Sequence, residues 1–320
     1  MFGHGAPAVL SVIPDTFTFA WIVAILFATS WALDSRGLAA GRTLAAATWA
    51  LFGLFWLSTV PYFAFEHQSY VESILALVGF PASVYAGYLL YDGRASLFTL
   101  TRAIAFMLFI YLPFETIPAF TVAGVAVPEP RRILIEVVAT QTGTLIDLLG
   151  YAPEAVTSRE GYDAAYSWSL EDGHTVIIHI VLACTGLGSM AIFGGLVAAV
   201  RAPLSRKLRA LAVSVPLIYV LNLLRTTFIS VVSGNQYMHW YPDLVMTMFG
   251  ATDPYRVSFL ISDRIMSQLL AVVALIAITF LAVRELPELA VILEDVLYLV
   301  TGEEHDLTEA LDLPREPTNR

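Results

Sequence analysis

The sequence has few charged residues and almost no lysine or cysteine. Only 14% of its 320 residues are charged, whereas a soluble domain of this size carries roughly a quarter. Lys207 is the only lysine and Cys184 the only cysteine, so an internal disulfide is excluded. The formal net charge of −10 leaves an acidic surface, which argues against nucleic acid as a partner. No basic stretch precedes Phe17, so we expect no cleaved signal peptide.

Long apolar blocks take the place of the missing charge. Hydrophobic residues make up 58% of the chain and collect in blocks of about 20 residues, the length that crosses a bilayer as an α-helix. We therefore predict an all-α fold, a polytopic transmembrane helical bundle with about seven spans. The predicted spans are 17–33, 44–63, 70–91, 103–127, 175–200, 208–232 and 258–283.

The segments outside the predicted spans indicate the domain boundaries and the orientation of the chain in the membrane. Residues 1–284 form the predicted transmembrane catalytic domain, which includes an outer interfacial segment at 128–173. An amphipathic helix is expected in the first half of that segment. A cytoplasmic amphipathic helix and tail are expected over 285–320. Arginines concentrate in alternate links, which predicts a multi-pass cell-membrane protein with the N-terminus outside and the C-terminus in the cytoplasm.

Three unusual residues lie in three different predicted spans, Cys184 in the fifth, Arg225 in the sixth and Arg264 in the seventh. An arginine in hydrocarbon costs about 2.5–3.5 kcal/mol on insertion scales, so two of them need a reason. At a rise of 1.5 Å per residue, each of the three lies roughly 9–13 Å below the outer surface. We predict that they meet in one catalytic site that faces the extracellular side.

The residue types suit covalent catalysis. Neighbouring cations favour the thiolate form of a cysteine, and guanidiniums bind an oxyanion, a carboxylate or a phosphate through forked hydrogen bonds. Asn222 lies one helical turn before Arg225 and Gln268 one turn after Arg264, so both are expected to orient the guanidiniums. The cysteine and histidines do not have metal-ligand spacing, and we expect neither a metal nor a cofactor.

Each of these residues also has an ordinary structural interpretation. A lone buried cysteine is usually an inert small hydrophobe. A buried arginine is usually paired, and Asp263 or Glu115 could serve as its partner. His179 lies off the helical face of Cys184, which argues against a Cys–His pair, and His239 is expected to anchor the outer interface.

A rival function belongs to a different class of protein. In a transporter or a binding protein for an anionic lipid or metabolite, Arg225 and Arg264 would clamp the ligand. Cys184 would then have no chemical role. The sequence has no internal repeat of the kind that many transporters contain, which favours the enzyme.

Three short segments around these residues resemble the exosortase/archaeosortase family. They are ACTGLGSM around Cys184, NLLRTT around Arg225 and DRIMSQ around Arg264, and their order and spacing add to the resemblance. Exosortases carry a histidine at the third position, where this chain has Arg264, as archaeosortases do. By position, the resemblance implies that Cys184 is the acyl-thioester nucleophile, Arg225 the proton donor and Arg264 the stabiliser of the transition state.

The resemblance also implies an activity, that of a membrane-embedded cysteine peptidase and transpeptidase. Such an enzyme cleaves a C-terminal sorting signal from secreted surface proteins. The implied signal is a Pro-Gly-Phe motif followed by a hydrophobic span and a basic cluster. The new C-terminus is then coupled to a membrane lipid, so the implied partners are signal-bearing proteins of the S-layer glycoprotein type and a lipid acceptor.

Overall fold

The computed structural model describes residues 15–66 and 69–311, which are mainly helical. Among these residues, six helices are long and apolar enough to cross a membrane, and they coincide with six of the seven predicted spans. The all-α polytopic fold is therefore confirmed, with two small sheets in addition. The six helices cover Thr16–Asp34, Ala40–Glu66, Tyr70–Asp92, Leu97–Thr116, Leu204–Gly234 and Pro254–Glu285.

The individual elements follow one another with short connections. Within the described ranges, two stretches are π-helical, Tyr62–Glu66 and Leu260–Ser267. Three others are short 3₁₀ turns, at Leu182–Thr185, Pro254–Arg256 and Pro287–Leu289. The α-helices are α1 (Thr16–Asp34), α2 (Ala40–Pro61), α3 (Tyr70–Asp92), α4 (Leu97–Thr116), α5 (Pro130–Leu148), α6 (Leu187–Ala199), α7 (Leu204–Gly234), α8 (Pro242–Phe249), α9 (Val257–Phe259), α10 (Gln268–Glu285), α11 (Ala290–Thr301) and α12 (Leu307–Ala310). The strands are β1 (Phe120–Val122), β2 (Val125–Val127), β3 (Glu154–Val156), β4 (Ala165–Ser169) and β5 (Thr175–His179).

The strands form two antiparallel sheets. The first is the β1–β2 hairpin, and the second has the order β3-β4-β5. Ala165 of β4 lies opposite His179 of β5, and Ser169 lies opposite Thr175. The chain leaves β5 directly into the 3₁₀ turn that contains Cys184, so the second sheet supports the entry to that turn.

The predicted span over 175–200 is wrong in its first half. Thr175–His179 is strand β5, and α6 has only 13 residues. Threonine, valine and isoleucine are β-branched and favour strands, and a short apolar run cannot be assigned to helix or strand from hydropathy alone. Cys184 therefore lies in a turn before a short helix, not far inside a long one, and the depth predicted for it does not apply.

Two other predictions concern the segment between α4 and β3. The predicted span over 103–127 is too long at its C-terminal end, because α4 ends at Thr116 and the β1–β2 hairpin follows. The amphipathic helix predicted in the outer segment is present as α5. It buries Ile135, Val138 and Ile146 on one face and leaves Leu148 exposed.

The chain divides into two compact units. Of the described residues, the first unit contains those up to Thr116, Gly194–Lys207 and those from Leu286 to Leu311. The second contains Ile117–Phe193 and Leu208–Glu285, and it holds every predicted site residue. The predicted domain boundary between residues 284 and 285 stays a prediction.

Aromatic packing forms the core of the first unit. The Phe27 ring lies 5.3 Å from Trp49 and 5.8 Å from Phe52, in edge contacts between α1 and α2. Trp49 Nε1 donates to Thr101 Oγ1 of α4 at 2.9 Å. Gly195 of α6 lies so close to α4 that an added Cβ would be 2.8 Å from the Met107 nitrogen. The small residue therefore permits close helix approach.

An ion-pair cluster attaches α11 to the link between α3 and α4. Asp295 of α11 is 1% exposed. It accepts from Arg94 Nε at 2.7 Å and from Ser96 Oγ at 2.8 Å. Arg94 also binds Glu304 at 2.7 Å and lies 3.8 Å from the centroid of the Tyr298 ring. The predicted C-terminal amphipathic helix is thus present as α11; its cytoplasmic location stays a prediction, and 312–320 lie outside the described residues.

Replacing the buried carboxylate should destabilise this attachment. We expect Asp295→Ala to lower the free energy of unfolding by about 2 kcal/mol, because Arg94 and Ser96 lose their shared acceptor. The measurement is the thermal unfolding midpoint in detergent, with Glu304→Gln as the control. Glu304 is exposed, so its variant should unfold close to the unaltered protein. Equal midpoints for the two variants would contradict the assignment.

Candidate active site

Cys184 lies in the 3₁₀ turn Leu182–Thr185, and its thiol is half-buried. Gly186 ends the turn with φ of +75°, a conformation that disfavours any side chain. A Cβ added to Gly186 would also lie 3.1 Å from the Cβ of Asn222. Glycine is therefore required here both by the backbone and by the close approach of α7.

Two side chains of α7 hold the backbone of Cys184. The Asn222 amide donates to the Cys184 carbonyl oxygen. Thr226 Oγ1 donates to the same oxygen at 3.1 Å and lies 3.0 Å from the Asn222 carbonyl oxygen. These residues are four apart, so they share one face of the helix. Asn222 therefore contacts the backbone of the cysteine, and its predicted role in orienting Arg225 stays a prediction.

Arg225 and Arg264 meet at Asp263. Arg225 Nη2 lies 2.5 Å from Asp263 Oδ1, and Arg264 Nε lies 3.5 Å from Asp263 Oδ2. The Asp263 and Arg264 side chains are only 10% and 12% exposed, and that of Arg225 is 30% exposed. A carboxylate between two guanidiniums offsets most of their mutual repulsion in such a site.

A π-helical segment presents two of these charged groups. Asp263 and Arg264 both lie in Leu260–Ser267, where the wider turn replaces the ordinary α-helical repeat. Such segments are rare and often occur at functional sites. The segment is fixed to α7 by Ser233 and Ser262, whose hydroxyls lie 3.2 Å apart, and by Ser258 Oγ, which donates to the Val232 carbonyl at 2.9 Å.

The charges around the sulfur do not cancel. The charged side chains whose fields reach the Cys184 thiol are Arg225, Arg264 and Asp263. Two positive groups and one negative group leave a net positive charge beside the sulfur. The two arginines favour an oxyanion or a carboxylate in the site over a cationic group. Burial raises the pKa of the Cys184 thiol, and the arginines oppose this only in part.

A second set of contacts fixes the N-terminal end of the helical span that carries Arg264, Pro254–Glu285. The His174 ring stacks on the Tyr255 ring with centroids 3.6 Å apart. Tyr255 Oη donates to Asp172 at 2.5 Å, and the His174 backbone N–H donates to the same carboxylate at 2.9 Å. The Tyr255 hydroxyl therefore holds the pKa of Asp172 below its usual range. The turn between β4 and β5 is thus attached to the start of the last span.

Helix α5 completes the surroundings of the cysteine. It packs against the 3₁₀ turn Leu182–Thr185. Tyr166 Oη of β4 donates to the Ala139 carbonyl of α5 at 2.6 Å. Burial raises the pKa of Tyr166, so its hydroxyl stays protonated and keeps this hydrogen bond. The sheet and α5 therefore form one support on which the turn rests.

Four other residues considered from the sequence have ordinary surroundings. Gln268 is the first residue of α10, directly after the π-helical segment, and its orienting role stays a prediction. Glu115 accepts from Tyr111 Oη at 2.9 Å. His179 lies on β5, where burial lowers its pKa and where its Nδ1 has no hydrogen-bond partner among the described residues. His239 is exposed.

The sequence alone does not single out Thr226, and it does not predict that Asp263 contacts both arginines. Thr226 follows Arg225 directly in NLLRTT, and Asp263 precedes Arg264 in DRIMSQ. From the sequence, Asp263 is expected only as a structural partner for one arginine. Within residues 15–66 and 69–311, no group of three or more histidine, cysteine or acidic side chains could hold a metal ion.

Comparisons with known proteins agree on one family. The chain matches the transmembrane exosortase family over residues 12–254. It is 54% identical over 294 residues to archaeosortase A of Haloferax volcanii, covering 92% of this chain and 97% of that protein. It is 43% identical over 302 residues to archaeosortase A of Natronomonas pharaonis, covering 92% of each. No solved structure matches it. The chain therefore belongs to the transmembrane exosortase family.

Membership in this family defines the general class of the protein. It is a multi-pass membrane enzyme of the protease and transpeptidase class. The family match includes Cys184 and Arg225 and ends before Asp263 and Arg264. The grouping of Asp263 and Arg264 with the first two residues therefore depends on the contacts described above.

Removing the charge of Asp263 should weaken the site. We expect Asp263→Asn to lower the free energy of unfolding by about 2–3 kcal/mol, because two half-buried guanidiniums would face each other without a carboxylate. The thermal unfolding midpoint in detergent measures this loss. Asp243→Asn on the exposed face of α8 is the control and should leave the midpoint unchanged. An equal midpoint for both variants would show that Asp263 does not balance the arginines.

Proposed function

We propose that this protein is a cysteine peptidase and transpeptidase that cleaves a C-terminal sorting signal from secreted surface proteins and couples the new C-terminus to a membrane lipid. Two sets of contacts support this proposal: those of Arg225 and Arg264 with Asp263, and those of α7 with the Cys184 carbonyl oxygen. Two relatives that are named archaeosortase A and that match 92% of this chain support it.

In the first step, the Cys184 sulfur attacks the carbonyl carbon of the scissile peptide bond. A tetrahedral intermediate forms, and its oxyanion needs positive charge or hydrogen-bond donors at once. When the carbon–nitrogen bond breaks, the hydrophobic tail leaves as an amine and the sorted protein remains as a thioester on Cys184. The proton lost by the thiol and the proton gained by the amine balance, so the arginines end the step in their charged form.

The two arginines take different parts in this step. Arg264 is the group that stabilises the oxyanion, since its side chain is largely buried and a guanidinium donates through a rigid fork. Arg225 is the group that hands a proton to the leaving amine. An arginine releases its proton reluctantly because the guanidinium is a very weak acid, so transfer must be concerted with return of the thiol proton. Asp263 holds Arg225 in place meanwhile.

In the second step, a nucleophile on a membrane lipid attacks the thioester. The carbon–sulfur bond breaks, the lipid takes the acyl group, and the proton lost by the lipid nucleophile returns the sulfur to the Cys184 thiol. The proposed substrate signal is a Pro-Gly-Phe motif, a hydrophobic span and a basic cluster, on proteins of the S-layer glycoprotein type. The site is proposed to face the extracellular side, where secreted proteins and the outer leaflet are both available.

The rival function, a transporter or binding protein with Arg225 and Arg264 as an anion clamp, explains the arginines but not the cysteine. It gives no reason for Asn222 and Thr226 to fix the backbone of Cys184. The backbone contacts favour the enzyme, because a nucleophile must be held in position while an inert thiol need not be.

Removing the nucleophile should abolish processing and leave the fold intact. We expect Cys184→Ala and Cys184→Ser each to stop conversion of a signal-bearing client in cells that lack the native enzyme. Membrane insertion and the thermal midpoint should remain close to those of the unaltered protein, because the thiol is only half-buried. The measurement is the fraction of client protein processed, read by gel mobility. Full processing by Cys184→Ala would refute the proposal.

Replacing the guanidinium group of Arg264 by an ammonium group should slow the chemical step. We expect Arg264→Lys to lower kcat about 100-fold, because lysine keeps the charge but cannot donate in the same geometry. Single-turnover cleavage of a client peptide measures this loss. Arg256→Lys, an exposed arginine at the start of the same span, is the matched control and should cleave at the unaltered rate. A normal rate for Arg264→Lys would remove Arg264 from the chemistry.

A further inference from the structure

A cavity of about 390 Å³ lies in the first unit, which does not contain Cys184. Its walls come from the C-terminal end of α1, the N-terminal end of α4, the residues after α6 and the start of α11. Small-molecule sites commonly have volumes of about 300–1,000 Å³, so this cavity is large enough for a ligand group. Nothing in the proposed reaction uses it.

Positive side chains converge on the cavity. Arg102 and Arg201 both line it, and the charge of Arg201 acts on Arg102. Lys207, the only lysine of the chain, also lies close enough to act on Arg102. Like charges repel one another at short range, and the rest of this chain is strongly acidic. The convergence is therefore unfavourable unless an anion is present.

The arginines of the cavity have no carboxylate bound to them. In the part of the chain that the structure describes, neither Arg102 nor Arg201 forms an ion pair, and Arg102 Nε is buried without a hydrogen-bond partner. The Arg102 guanidinium lies 5.8 Å from the centroid of the Trp31 ring. Because a buried donor without an acceptor is costly, this N–H is suited to an external acceptor.

Two acidic residues also line the cavity, and their charges must be set against the basic ones. Glu288 is already bound by Arg206 at 2.8 Å, so its charge is compensated. Asp34 is the second acidic lining residue. Two basic side chains, Arg102 and Arg201, therefore line the cavity together with the two acidic ones. Arg206, which binds Glu288, and Lys207, which lies near Arg102, add positive charge beside the cavity.

We propose that this cavity binds the phosphate group of an anionic ligand, with Arg102 and Arg201 as its donors. Guanidinium forks match phosphate oxygens and donate to them in pairs. Trp31, Phe98 and Val200 add an apolar wall beside the cations. A phospholipid head group with its glycerol fits this combination, since basic pockets at the ends of membrane helices bind such groups. The same chemistry would also take free phosphate.

The test compares phosphate-bearing and phosphate-free probes on the purified full-length protein in detergent. The thermal unfolding midpoint is measured against increasing phosphatidylglycerol, inorganic phosphate, or a neutral diacylglycerol with the same chains. The variants are Arg102→Gln and Arg201→Gln, and exposed Arg42→Gln at the start of α2 is the matched control. Arg201 is exposed, so its variant should fold normally even if Arg102→Gln does not.

Phosphatidylglycerol should raise the midpoint of the unaltered protein and of Arg42→Gln. In Arg102→Gln and Arg201→Gln, about tenfold more lipid should be needed for half the effect, because each loses a charge-assisted hydrogen bond. A response to inorganic phosphate that the variants weaken would also support the site and would identify free phosphate as the source. An equal response to diacylglycerol, an unchanged response in both variants, or no response to either phosphate-bearing probe would overturn the proposal.

Discussion

Two guanidiniums in an apolar helical unit stay charged and close together only if an anion lies between them, and Asp263 supplies that anion. It contacts Arg225 from one side and Arg264 from the other. The π-helical segment carries Asp263 and Arg264 as neighbours in the chain and brings both to α7. Because one carboxylate serves two arginines, a net positive charge remains in the site.

Helix α7 links the two halves of the chemistry. Asn222 and Thr226 fix the carbonyl of Cys184, and Arg225 projects toward Asp263 from the same helical turn. The position of the nucleophile and the position of the cations therefore depend on one rigid element. A site held by a helix in this way can keep its geometry without a metal or a disulfide.

Sequence reasoning was most successful where the physical signal was long and uniform. Six membrane-spanning helices could be predicted from hydropathy, because an apolar block of about 20 residues is typical of such a helix. The prediction of a helix before Cys184 was wrong, because a run of apolar β-branched residues is compatible with a strand as well as with a helix. The pairing of β5 with β4 depends on residues distant in the chain, which local patterns do not contain.

The candidate site could be predicted in its charged and nucleophilic members but not in their contacts. An arginine in an apolar span is conspicuous because it is costly. Thr226 is not, since a threonine in such a helix usually bonds to its own preceding turn, as it also does here. The role of Asp263 could not be predicted either, because spacing in the sequence does not show whether a carboxylate contacts one arginine or two.

The central claim is that the Cys184 sulfur is a nucleophile held beside two arginines. Intact-mass spectrometry of the purified protein after brief reaction with a signal-bearing client peptide tests it most directly. We predict an added mass equal to the acyl part of the client, located on Cys184, removed by hydroxylamine and missing from Cys184→Ala. Client cleavage at a normal rate with no adduct on Cys184, or an adduct on another residue, would contradict the account.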